Sequence, residues 1–177
     1  MGPGSHSDDR VATRSWRSYG RPAMTQVSVR IHIAAPCNVV FADAADHENF
    51  LRSADGTTTA RVVRPGLPAP NGLGCFREVS VRGKVRYVEE ITAWNPPVDF
   101  EYTIRRTPLP LRHAGSRLTF TPRGGGTDVE WTSRFTVPVP VLGRLLERRA
   151  KRLYENAFGA LLADAKARLE AATPRRP

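Results

Sequence analysis

From Thr57 to Val137 the sequence reads as strand after strand, and from Val141 to Ala171 as one unbroken helix. This order limits the fold more than any other feature. The expected strands are Thr57–Val63, Gly74–Arg82, Val85–Thr92, Asp99–Arg106, Ser116–Thr121 and Thr127–Val137. Gly83, Asn95-Pro-Pro97 and Gly124-Gly-Gly126 supply turn chemistry between them. Sequential strands on short turns make an antiparallel meander. A Pro- and Gly-rich loop from Pro65 to Gly72 interrupts it.

The segment before Thr57 adds to the same picture. Val27, Val29, Ile31 and Ile33 alternate strictly with polar residues, which predicts a half-buried strand. Pro36 suits the first turn of a helix carrying Val39, Val40, Phe41 and Ala44, and Asp46 to Arg52 reads as a second short helix. In the C-terminal helix, Leu142, Leu145, Leu146, Leu153, Tyr154, Ala157, Phe158, Leu161, Leu162, Ala165 and Leu169 recur at three- and four-residue steps.

The expected fold is therefore α+β, with a curved antiparallel sheet of six to seven strands around a long C-terminal helix. Two short helices follow the first strand. Strands lie about 4.8 Å apart, so seven span roughly 30 Å, whereas one helix is about 10–12 Å across. A flat sheet would leave most of its apolar face wet. The sheet must curl around the helix, and a curled sheet encloses space that suits an apolar ligand.

A chain of 177 residues fits one domain, expected over residues 24–172. Residues 1–23 and 173–177 read as disordered tails. The opening Met1-Gly-Pro-Gly-Ser5 looks partly vector-derived. No apolar stretch of about 18 residues is present. Two cysteines, Cys37 and Cys75, make no disulfide framework, and a cytoplasmic protein is expected. Lysine accounts for only Lys84, Lys151 and Lys166 among 27 basic residues, and the formal net charge is +10. The excess gathers near the start of the long helix, in Arg144, Arg148, Arg149, Lys151 and Arg152. Cations there oppose the helix dipole. They offer a peripheral contact to membrane headgroups or RNA, but no nucleic-acid-binding signature accompanies them.

The turn at Gly83 fixes a register. A three-residue loop Arg82-Gly-Lys84 pairs Val81 with Val85, Val79 with Tyr87, Arg77 with Glu89 and Cys75 with Ile91. That face is otherwise apolar, so it should be the concave one. Arg77 and Glu89 then stand opposite each other with Cβ atoms about 5 Å apart. Inward charges in an apolar wall must be paired. The pair is expected to orient a polar group of a greasy ligand, or only to hold the wall together. Alternation places Tyr87, Ile91, Phe100, Tyr102, Ile104, Leu118, Phe120, Trp131, Ser133 and Phe135 on the same inward faces, with Tyr154 and Phe158 opposite them on the helix. His113 is expected in a solvated loop and His32 on an outward face. His47, between Asp46 and Glu48, lacks the spacing of a metal ligand. Gly72-Leu-Gly74 precedes a strand and so is no dinucleotide loop. No metal and no cofactor is expected.

Several pieces, in order, resemble the SRPBCC superfamily of START-like, helix-grip proteins, in its polyketide cyclase/dehydrase-like branch. They are Val29-Arg-Ile-His-Ile-Ala-Ala-Pro36, Val39-Val-Phe41, Gly72-Leu-Gly-Cys-Phe-Arg77, Glu89-Glu-Ile-Thr-Ala-Trp-Asn-Pro-Pro97 and Gly126-Thr-Asp-Val-Glu-Trp131. Many relatives carry an Asp followed closely by a Trp-Pro pair after the first helix, where this chain has Asp46-His-Glu-Asn-Phe50-Leu51. The resemblance implies binding or transport of a hydrophobic, lipid- or polyketide-like molecule. It also admits a cyclase or dehydratase using Arg77, Glu89 and Tyr87 for acid–base chemistry, and a basic interaction protein meeting RNA or membrane.

Overall fold

A computed structural model describes residues 24–172. The expected tails at 1–23 and 173–177 lie outside the described residues. The order is β1 (Thr25–Ile33), α1 (Cys37–Ala45), α2 (His47–Phe50), β2 (Thr58–Arg64), β3 (Phe76–Val81), β4 (Val85–Asn95), β5 (Asp99–Arg106), β6 (Arg112–Arg123), β7 (Gly126–Thr136) and α3 (Gly143–Ala172). All strands join one antiparallel, curled, open sheet in the order β1-β7-β6-β5-β4-β3-β2. The meander holds from β2 to β7, and β1 adds to its far edge.

Because β1 and β2 are opposite edges, α1 and α2 carry the chain across the sheet's whole width. Asp46 caps α2 by accepting from the Asn49 amide. Val40, Phe41 and Ala44 turn inward from α1, but Val39, expected with them, faces solvent. Phe41 meets the rings of Trp94, Phe100 and Phe120 edge-on at 5.2 to 6.1 Å. This aromatic plug fills one end of the curl. α3 closes the rest, burying Phe158, Leu161, Leu162 and Ala165. No helix among the described residues is long and apolar enough to cross a membrane.

The β3–β4 hairpin takes the expected register, with Val81 opposite Val85, Val79 opposite Tyr87 and Arg77 opposite Glu89. Arg82 and Gly83 both have positive φ, at 52° and 65°. Gly83 adopts that conformation without penalty, which lets so short a loop reverse the chain.

β6 corrects the expected strand boundaries. It begins at Arg112 rather than Ser116 and takes in His113. The register slips between His113 and Gly115, and Gly115 has φ 133°. This bulge breaks the two-residue alternation by which a strand is recognised in sequence.

Candidate functional site

Between α3 and the concave face lies a cavity of about 130 Å³. Seven of the expected ligand-binding residues line it: Tyr87, Glu89, Tyr102, Ile104, Trp131, Tyr154 and Phe158. Leu51, Thr58, Val79, Val81, Leu153, Ala157 and Leu161 complete the lining. The apolar lining residues Val79 and Val81 follow from the hairpin register, and Leu153 and Leu161 from the helical period. The two exposed lining residues, Leu153 and Ala157, are both on α3, so the cavity opens beside that helix.

The other expected residues sit elsewhere, each for a packing reason. Phe120 joins the aromatic plug. Ile91 and Leu118 are fully buried in the core and do not reach the cavity. Phe135 stacks on Tyr154 with ring centroids 5.1 Å apart, which puts it behind that tyrosine. Ser133 faces His113 at 3.2 Å. Arg77 is also outside the lining, at 1% exposure.

Arg77 lies behind Glu89 and serves it. Its Nε donates to Glu89 Oε2 at 2.8 Å. A second guanidinium nitrogen donates to His47 Nδ1 at 2.8 Å. Its guanidinium carbon stands 4.7 Å from the centre of the Tyr102 ring. His47 in turn donates from Nε2 to the Asn71 carbonyl at 2.9 Å. Both ring nitrogens of His47 are thus occupied, in the tautomer that can accept from a cation. Burial, reinforced by the Arg77 charge, lowers the His47 pKa to about 3. The imidazole is neutral at any ordinary pH. Burial raises the Glu89 pKa while Arg77 pulls it back down. Burial also raises the Tyr87, Tyr102 and Tyr154 pKa values, with the Glu89 carboxylate adding to each.

The role of His47 escapes sequence reasoning because its partners, Asn71 and Arg77, are 24 and 30 residues away. No local period marks it. His113 also departs from expectation. It is not a solvated loop histidine but a half-buried strand residue whose pKa desolvation lowers to about 4. Its Nδ1 accepts from the Ile104 amide and its Nε2 lies 2.9 Å from Ser116 Oγ. Trp131 Nε1 donates to the Tyr102 hydroxyl at 3.1 Å. These bonds fix the polar atoms of the wall from behind. His32, as expected, faces outward, where it pairs with Asp128 at 2.7 Å.

The wall that results is apolar, with one carboxylate set into it. Glu89 Oε2 is held by Arg77, and Glu89 Oε1 takes no hydrogen bond from the described residues.

Residues 24–170 match the profile of a family described as polyketide cyclase / dehydrase and lipid transport. Solved structures with the same fold include TTHA0849 from Thermus thermophilus, at TM-score 0.67 and 23% identity over 85% of this chain and 100% of that one. A START superfamily protein from Mycobacterium smegmatis aligns at TM-score 0.63 and 15% identity, over 84% of this chain and 99% of its own. The protein XoxI from Bacillus cereus aligns at TM-score 0.63 and 14% identity, over 82% and 96%. No match was found among curated proteins.

Proposed function

The chain belongs to the polyketide cyclase / dehydrase and lipid transport family, and from that premise we propose that it binds and carries a small hydrophobic molecule that bears a hydrogen-bond donor. The carrying observation is the single carboxylate, Glu89, in the apolar lining. An ionised carboxylate only accepts hydrogen bonds. With Oε2 committed to Arg77, Oε1 is the atom that answers a ligand hydroxyl or amine. Arg77 and His47 act through Glu89 by holding its position and charge.

Size supports a narrow choice. A cavity of about 130 Å³ resembles the roughly 150 Å³ space that holds benzene in an engineered protein core. A ring-sized or short acyl group fits as the walls stand. A larger ligand requires Phe158 to leave Trp131, on which it stacks with centroids 3.9 Å apart.

Calorimetric titration with p-cresol and its methyl ether tests this reading. The two differ in the donor and little else. Wild-type protein should prefer p-cresol by about tenfold, as a hydrogen bond to a charged group would give. Glu89→Gln should remove most of that preference while still binding the ether. Equal affinity for the two probes in the wild type, or binding of neither, would overturn the proposal.

A further inference from the structure

The first turns of α3 do not pack as the rest of the helix does. Leu145 and Leu153 are 62% and 65% exposed, and Leu142, just before the helix, is 54% exposed. Arg144, Arg148, Arg149, Lys151 and Arg152 are exposed among them. Leu142, Leu145 and Arg149 follow at three- and four-residue steps, and Arg152 and Leu153 stand three and four residues beyond Arg149, so the five share one face.

What sets these cations apart is their gathering within about three turns of one helix; Arg82, Arg106, Arg112 and Arg134 likewise have no carboxylate partner among the described residues. On the sheet, Arg30, Arg61, Arg86, Arg105, Arg117 and Arg123 each stand against a carboxylate, as does Arg168 farther along α3. Among the described residues, Arg144, Arg148, Arg149 and Arg152 have no such partner. Glu147 does not neutralise them, because it turns back to accept from the Val137 amide at 3.0 Å. Only Lys151 has an acid nearby, Glu155 at 3.7 Å. Arg144, in the first turn, also opposes the helix macrodipole. Bare leucines beside these cations add uncovered apolar surface.

We infer that this face docks on the surface of an anionic lipid bilayer. Anionic headgroups would meet the arginines, and the leucines would enter the acyl boundary. Nucleic acid would satisfy the charges but leave Leu142, Leu145 and Leu153 wet, and the face carries no aromatic side chain for base stacking. Leu153 also lines the cavity, so docking brings its opening to the lipid. The docking stands without the Glu89 reading, since it uses residues on the outer face and no cavity ligand.

Flotation of the full chain with phosphatidylcholine vesicles, and with phosphatidylcholine–phosphatidylglycerol vesicles, tests this. Binding should appear on the anionic vesicles alone and weaken with added salt. Each cation near such a surface is worth about fivefold in affinity, so Arg149→Ala with Arg152→Ala should weaken binding roughly 25-fold. Leu145→Ser should also weaken it, leaving a residue of binding that salt abolishes. All these side chains are exposed, and an unchanged melting curve checks that the variants fold. Four results would overturn the inference: no vesicle binding, equal binding to both vesicle types, an RNA probe that displaces the vesicles, or a dimer in sedimentation that Leu145→Ser dissolves. The last would assign the face to a second copy of the chain.

Discussion

Arg77 and Glu89 form a buried ion pair in a wall that is otherwise apolar, a poor arrangement for stability taken alone. Desolvating two charges cancels most of their attraction, and removing only one leaves the other stranded. Arg77→Met should therefore destabilise the protein by about 3–5 kcal/mol, whereas Arg77→Met with Glu89→Leu should return it to within about 1 kcal/mol of wild type or above. Urea unfolding of the single and double variants measures this. A double variant as unstable as the single would mean that the pair supports the fold itself rather than a ligand. The opposition of these two residues was legible in the sequence, because a short turn at Gly83 and a two-residue period leave one register. That Arg77 is sealed behind Glu89 was not legible. It depends on His47, which reaches Arg77 from α2, an element that packs beside β2 and is 30 residues away in sequence.

Along α3, one element carries two different surfaces. Its C-terminal half packs through Phe158, Leu161, Leu162 and Ala165. Its N-terminal half packs inward through Leu146, Ala150 and Tyr154 while its other face leaves Leu145 and Leu153 bare. The apolar residues at three- and four-residue steps ran through both halves and hid the change, although at about 100° per residue Leu145 lies roughly 160° and Leu153 roughly 80° round the helix from buried Leu161. Phe158 marks the boundary, with its ring parallel to Trp131 within 5°. Phe158→Ala should cost about 3–5 kcal/mol in thermal or denaturant unfolding. It should also join the vacated space to the cavity and admit ligands larger than one ring, such as a naphthol, which the wild type should bind more weakly. Unchanged selectivity for ligand size would show that the stack does not set the limit. β6 gives a similar lesson at the level of one strand. Its bulge at Gly115 hid the strand's first residues, and with them the inward placement of His113.

For the whole molecule, acid stability follows from two histidines that folding withdraws from water. His47 and His113 titrate near pH 6.5 when unfolded, but at about 3 and about 4 when folded. Between those values the unfolded chain binds more protons, so stability is fully present above about pH 6.5 and is lost as pH falls. Each histidine contributes a slope of up to about 1.4 kcal/mol per pH unit. Urea unfolding at stepped pH should show this decline before most carboxylates titrate, and His47→Gln should remove about half of it. A stability that is level from pH 6.5 to pH 4 would contradict the enclosure of both rings.

The sheet order has a consequence for how the chain is made. β1 leaves synthesis before the other described strands, yet its only strand partner among the described residues is β7, so that Ser28 meets Glu130 across 102 residues. During translation the hairpins from β2 to β6 can pair as they emerge, while β1 waits as an unpaired edge. α1 and α2 have no closed sheet to cross until β7 arrives. Contacts of such long sequence separation slow folding, and an exposed strand edge invites pairing with other chains. For this protein the hazard lies at β1, and it ends only when nearly the whole sheet has been synthesised.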